Sequence, residues 1–223
     1  MGVAPECNLL SIKILDNKGN GKLKHLLEGV TWLLDHHKEY GIRIVNISIG
    51  SIAKKGMAEE SELVMAINSL WDAGLVVCIA AGNEGSSGKH ATVTTPGISR
   101  KVITVGSSDD DVMIDDVGRQ YLHYSGKGPT KECICKPEIV APGTNIISAN
   151  AGYYHKKKPY IMKSGTSMST PIVSGAVALL LEKYPLMKNT EVKICLRQTA
   201  KDLRLPRSHQ GWGLLNIEEL LKE

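Results

Sequence analysis

Hydrophobic and polar positions along the chain follow two rhythms. Residues 8–15 (NLLSIKIL), 42–50 (IRIVNISIG), 75–83 (LVVCIAAGN) and 101–109 (KVITVGSSD) are short apolar runs bounded by Gly, Asp and Asn, and they predict strands. Between the first two, Leu23, Leu26, Leu27, Val30, Leu33 and Leu34 recur at helical spacing, with Gly41 as the stop. Residues 59–74 (EESELVMAINSLWDAG) predict a second helix, with acidic residues favouring the dipole in its first turn and Gly74 at its end. Residues 109–136 are polar and turn-rich and predict a surface loop with one short strand. Residues 137–149 (PEIVAPGTNIISA) predict an extended segment that its prolines confine to an edge or a loop-flanked place. A strongly apolar helix follows Ser167. Two more close the chain, residues 189–203 with Asn189 or Thr190 as cap, and residues 216–223.

Strands alternating with helices predict right-handed βαβ units. The fold class is α/β: a mostly parallel sheet with helices on both faces, in three layers. With 223 residues the chain is long enough for one such domain, residues 1–223, and short for two. Residues 75–83 carry no polar alternation, as expected of a strand covered on both faces. In such sheets chemistry gathers at the carboxyl ends of the strands. That singles out Ser48-Ile49-Gly50, Ala80-Ala81-Gly82-Asn83 and the turn before Ser167.

Composition changes this picture little. Apolar residues make up 42% and charged residues 22%, and with no Phe the core must be aliphatic. The net charge of +4 is spread along the chain, and the run Lys156-Lys157-Lys158 reads as a solvated loop, so neither nucleic acid nor a membrane is an expected partner. No apolar run reaches the length of a membrane span. Five cysteines without a repeated spacing suit a reducing compartment, and a cytoplasmic location is expected, with secretion the alternative if the true N-terminus lies upstream. Cys78 reads as a buried small hydrophobe. Cys133-x-Cys135, without a second pair, is a weak metal signal, and no metal ligands are assigned.

Gly165 and Thr166 precede Ser167, which is expected at the start of a helix near unpaired N–H groups and the positive dipole end; Pro171 is expected within the tolerated first turn. That arrangement suits a mounted nucleophile, or equally a plain cap made by Thr166 or Ser167. Asn83 ends a buried strand behind small residues and reads either as an oxyanion donor or as a turn Asn. Both come from strand ends of one sheet, the convergence acyl transfer requires.

Together, SGTSMSTPIVSGAVALL, GVAPECNLLSIKIL, IVNISIG, VVCIAAGNEG, TPGISRKVITVGS, KPEIVAPGTNIIS and GWGLLN resemble, in order, the motifs of the subtilisin-like serine proteases, most of all their intracellular bacterial branch. The resemblance implies that Ser167 is the nucleophile and Asn83 the side-chain donor of the oxyanion hole. It implies that Ser48, Ile49 and Gly50 form the edge that pairs with an extended polypeptide substrate. Ala80, Ala81 and Gly82 would line the pocket, and Thr166 joins them among the substrate-binding positions. It admits calcium as a cofactor. The family's triad runs Asp, His, Ser, and its His-Gly-Thr-His stretch is absent from this sequence. The seven histidines (His25, His36, His37, His90, His123, His155, His209) read as surface residues. The expectation is therefore a serine endopeptidase domain whose Asp and His lie outside the chain, which is inactive alone. The alternatives are a non-catalytic peptide binder or one half of a split protease. The resemblance also implies a missing strand beside residues 8–15 and 42–50, so instability, self-association or docking of an N-terminal segment is expected.

Overall fold

The computed structural model describes residues 2–16, 19–49, 61–85, 91–114, 120–153 and 157–222. Helix α1 (Leu23–His36) is followed by strand β1 (Ile44–Ile47), helix α2 (Glu62–Asp72), and strands β2 (Val76–Ala80) and β3 (Ile103–Ser107). Two short strands, β4 (Met113–Ile114) and β5 (Gln120–Tyr121), pair as an antiparallel ribbon. Next come β6 (Ile139–Ala141) and a hairpin of β7 (Ile146–Ala149) with β8 (Tyr160–Lys163). Helices α3 (Thr166–Lys183), α4 (Asn189–Thr199), α5 (Arg207–Gln210) and α6 (Ile217–Leu220) complete the chain.

The central sheet is parallel throughout, in the order β1-β2-β3-β6. Every residue of β2 and β3 is buried; β2 is accordingly an unbroken apolar run, while β3 also buries Thr104 and Ser107, whose hydroxyls are hydrogen-bonded. Helix α3 packs across all four strands, burying Val173, Ala176, Val177, Leu180 and Leu181, while α2 covers β2 with α1 beside it. Cys78 is one of these core residues, and burial pushes its thiol up to about 12.

The expected strand over residues 8–15 does not form. Apart from an isolated Leu15–Gly21 bridge, the described residues give it no ladder, and Leu9 is 91% exposed. The segment still has strand-like alternation, with Ile12 and Ile14 half-buried against Gly29 of α1, but a strand also needs a hydrogen-bonding neighbour. Among the described residues strand β1 pairs with β2 alone. Its residues Ile44 and Val45 are only half-buried and Asn46 is exposed. Sequence periodicity also missed β8 and α5.

At α4 the helix cap differs from expectation. Lys188 is the cap of α4, its N–H bonded to Glu191 Oε2 at 2.6 Å. The buried Asn189 side chain instead donates to the carbonyls of Trp71 and Leu75, tying α4 to the end of α2. Nearby lies a buried ionic cluster. The Lys136 ammonium, fully buried, donates to both oxygens of Glu138 (2.7 Å each), to Thr104 Oγ1 (3.0 Å) and to the Ser99 carbonyl. Lys193 adds bonds to the carbonyls of Arg100, Lys101 and Val102. These loop oxygens converge as they would around a bound cation, and two lysines satisfy them.

Candidate active site

Ser167 is the second residue of α3, at the end of the sheet where β1, β2 and their following loops meet. Its N–H is among the four that a helix leaves without an intrahelical acceptor. Neither Thr166 nor Ser167 caps the helix. The cap is Gly165, whose φ of 140° is closed to L side chains, and a Cβ there would sit 3.0 Å from Asn83 Nδ2. The reading of Ser167 as a simple cap is thereby replaced.

Asn83 is held by its oxygen. Thr166 N–H and Thr166 Oγ1–H both donate to Asn83 Oδ1, at 3.0 and 3.1 Å, and Thr166 Oγ1 accepts from Gly82 N–H at 3.1 Å. Two donors on Oδ1 settle the orientation of the amide, so Nδ2 is turned away from Thr166 and is the group offered to a ligand. Thr166 is buried and acts here as the clamp on Asn83. Ala80 and Ala81 are buried too, and the Ala81 carbonyl is taken by Thr94 N–H at 2.9 Å. They support the site from beneath, and only Gly82 of the three is partly exposed. Ser48 and Ile49 are half-buried just past β1; Gly50 lies outside the described residues.

Ser48 and Ser167 exchange hydrogen bonds across 119 residues of sequence. Ser167 Oγ–H donates to the Ser48 carbonyl at 3.0 Å, and Ser48 Oγ–H donates to the Ser167 carbonyl at 3.1 Å. Pro171 explains the second bond. It is the sixth residue of α3, beyond the first turn where it was expected, and it lacks the N–H that would bond the carbonyl four residues back. That carbonyl belongs to Ser167, and Ser48 Oγ takes the vacant place. Ser48→Ala should therefore cost about 1 kcal/mol in urea unfolding. In a Pro171→Ala background, where residue 171 regains its N–H, the cost should shrink; equal costs in both backgrounds would break the link between the two residues.

The turn before Ser167 rests on a network that the sequence did not reveal. Asp109 Oδ1 accepts from Ser107 Oγ–H (2.9 Å), Gly143 N–H (2.7 Å) and Thr144 N–H (3.1 Å), and the Gly143 carbonyl accepts Gly165 N–H at 2.8 Å. The buried Tyr124 hydroxyl bonds both Ser107 and Thr144, and its burial raises its pKa. The only sequence signals were an Asp after a strand and a Gly in a Pro-Gly turn.

None of the described histidines hydrogen-bonds to Ser167. His36 and His37 bond carbonyls of their own helix, and His123 faces Asp110 and Asp111; His90 and His155 lie outside the described residues. The hydroxyl proton of Ser167 is directed at a carbonyl, which cannot remove it.

The chain is similar to known proteases in sequence and in fold. The chain is 39% identical to serine protease AprX of Bacillus subtilis over 97% of its own length, and 32% identical to subtilisin DY of Bacillus licheniformis over 98%. It spans 52% of the first relative and 69% of the second. Among solved structures, the prenylagaramide maturation protease PagA superposes with a TM-score of 0.67 at 27% identity, over 92% of this chain and 69% of that one. Sphericase superposes with a TM-score of 0.72 at 24% identity, over 92% and 67%. The profile of the subtilase family (peptidase S8) matches residues 1–213, and the chain belongs to that family.

Proposed function

We propose that this chain is the nucleophile-bearing part of a serine endopeptidase whose Asp and His lie outside its 223 residues. The observation that carries this reading is the placement of Ser167, at the second position of α3, with the Asn83 amide clamped by Thr166 so that Nδ2 is free. An extended polypeptide pairs along the edge past β1, at Ser48 and Ile49. Imidazole from the missing segment takes the Ser167 proton, and Oγ attacks the scissile carbonyl carbon. The oxyanion is held by Asn83 Nδ2–H and Ser167 N–H. The amine leaves with the proton, and water hydrolyses the Ser167 ester.

One observation favours a second reading, peptide binding without cleavage: the Ser167 hydroxyl is bonded to the Ser48 carbonyl and to no imidazole. Calcium, admitted by resemblance, is not routed into either reading. The carbonyls of residues 99–102 bond lysines, and the one converging group of His, Cys, Asp and Glu among the described residues contains an imidazole, unlike calcium's all-oxygen shell.

The test is complementation. The chain is mixed with a polypeptide carrying the Asp strand and the His-Gly-Thr-His helix, and hydrolysis of a fluorogenic peptide is followed. The chain alone should be inactive, the mixture active, and the Ser167→Ala mixture inactive. A mixture that binds the peptide with unchanged affinity in Ser167→Ala and never cleaves it would establish the second reading.

A further inference from the structure

We propose that Asp110, Asp111 and His123 form a binding site for a first-row divalent metal ion such as Mn²⁺ or Zn²⁺, which staples together the two loops behind the catalytic serine. One ligand atom of each residue lies within 4.8 Å of the others. His123 Nδ1 stands 3.7 Å from Asp110 Oδ1 and 4.0 Å from Asp111 Oδ1. Neither separation is a hydrogen bond. Both approach the spacing of donors that share an ion: two atoms each about 2.1 Å from a tetrahedral metal are about 3.4 Å apart. Closing the site needs shifts of about 0.3 and 0.6 Å in these two pairs and up to about 1.4 Å between the carboxylates, within reach of rotation of the exposed Asp111 and His123 side chains.

The donors are prepared on both sides. Asp110 Oδ2 accepts Ser125 N–H at 3.1 Å, which leaves Oδ1 toward His123. The backbone of His123 has φ of 50°, so its ring is presented from a tight turn between the exposed Leu122 and the buried Tyr124. A second imidazole, His209 of α5, stands close enough for Asp110 and His123 to act on it electrostatically; its burial and the charge of Lys127 lower its pKa. Two carboxylates with imidazole nitrogen select a metal that accepts both O and N, and disfavour calcium. His123 was read from the sequence as a surface histidine, because its carboxylate partners come from a loop twelve residues earlier.

The place gives the ion a consequence. Asp110 and Asp111 continue directly from Asp109, which holds Gly143 and through it the Gly165 turn. His123 leads into Tyr124, Ser125 and Gly126. The Tyr124 carbonyl accepts Gly85 N–H at 2.8 Å, and Gly126 N–H donates to the Gly82 carbonyl at 2.8 Å, on either side of Asn83. An ion bridging residues 110–111 to 123 thus joins the support of the nucleophile turn to the support of the oxyanion donor.

The test needs no proteolysis, so it stands or falls separately from the proposed function. The full chain is stripped with a chelator and titrated with Mn²⁺, followed by loss of the free-ion EPR signal; Mn²⁺ is chosen because the exposed thiols of Cys7, Cys133 and Cys135 prefer softer metals. One equivalent should bind and raise the thermal midpoint. His123→Asn, which suits the positive φ, and Asp111→Asn, at a side chain 90% exposed, should each weaken binding at least about tenfold while leaving the metal-free midpoint unchanged. Absence of binding at millimolar Mn²⁺, or equal affinity in both variants, would overturn the site. So would displacement of Mn²⁺ by equimolar Ca²⁺.

Discussion

Lys136→Met should cost about 3–5 kcal/mol of stability, a large share of what a domain of this size holds in reserve. The ammonium is fully buried, and its removal takes a donor from three acceptors at once: the Glu138 carboxylate, which keeps Thr104 N–H on Oε2, the Thr104 hydroxyl oxygen and the Ser99 carbonyl. Lys193, 3.3 Å from Glu138 Oε1, compensates part of the carboxylate charge but is already committed to three carbonyls. The loss should appear as a lower urea midpoint with an unchanged slope. The double variant Lys136→Met/Glu138→Gln should recover part of it, since the greater penalty is the uncompensated buried charge. A single-variant cost below about 1 kcal/mol would contradict the burial of this pair. Because β6 and the loop before β3 both end on the cluster, the loss should also loosen the sheet edge beneath Gly143.

Asn83→Asp, tested in the complemented enzyme, should lower turnover by about 10²–10³ with little change in KM, the range seen when this kind of donor is removed from a member of this same family. The substitution separates two functions of one amide. Oδ1, which receives Thr166 N–H and Oγ1–H, is preserved in a carboxylate, so the clamp and the fold should survive. Nδ2–H, the donor proposed for the oxyanion, is replaced by a charged oxygen that would repel it. Asn83→Ala removes both, and should add a loss of stability to the loss of rate. If Asn83→Asp lost only a few-fold in turnover, the oxyanion would be held elsewhere. If it unfolded, the role of Oδ1 as a neutral acceptor would outweigh that of Nδ2 as a donor.

Much of the site was legible because each part announces itself locally. Gly165 before Thr166 and Ser167 marks a turn that only glycine makes, and Ala81, Gly82 and Asn83 mark the end of a strand whose neighbours lie close. What joins the parts was not legible. The Thr166–Asn83 clamp spans 83 residues and the Ser48–Ser167 exchange 119, and neither leaves a spacing that periodicity can detect. Pro171 looked like an ordinary first-turn proline, and its effect depends on which hydroxyl happens to face the carbonyl it leaves vacant.

By itself the sequence determined the elements whose identity rests on their own residues: the unbroken apolar strand β2, the largely apolar β3, the helices α1, α2 and α3, and the glycine turn before Ser167. Burial on both faces demands apolar side chains or hydrogen-bonded hydroxyls such as those of Thr104 and Ser107, and that demand is largely written in the chain. Tertiary structure alone decided the rest. Residues 8–15 have a strand's alternation and no ladder, because a strand is completed by its neighbour and none of the described residues takes that place beyond one bridge. A lysine is ordinarily solvated, and Lys136 is buried because Glu138, Thr104 and Ser99 meet around it. Periodicity reports which face of an element is apolar; which polar groups meet across the fold depends on how those faces pack.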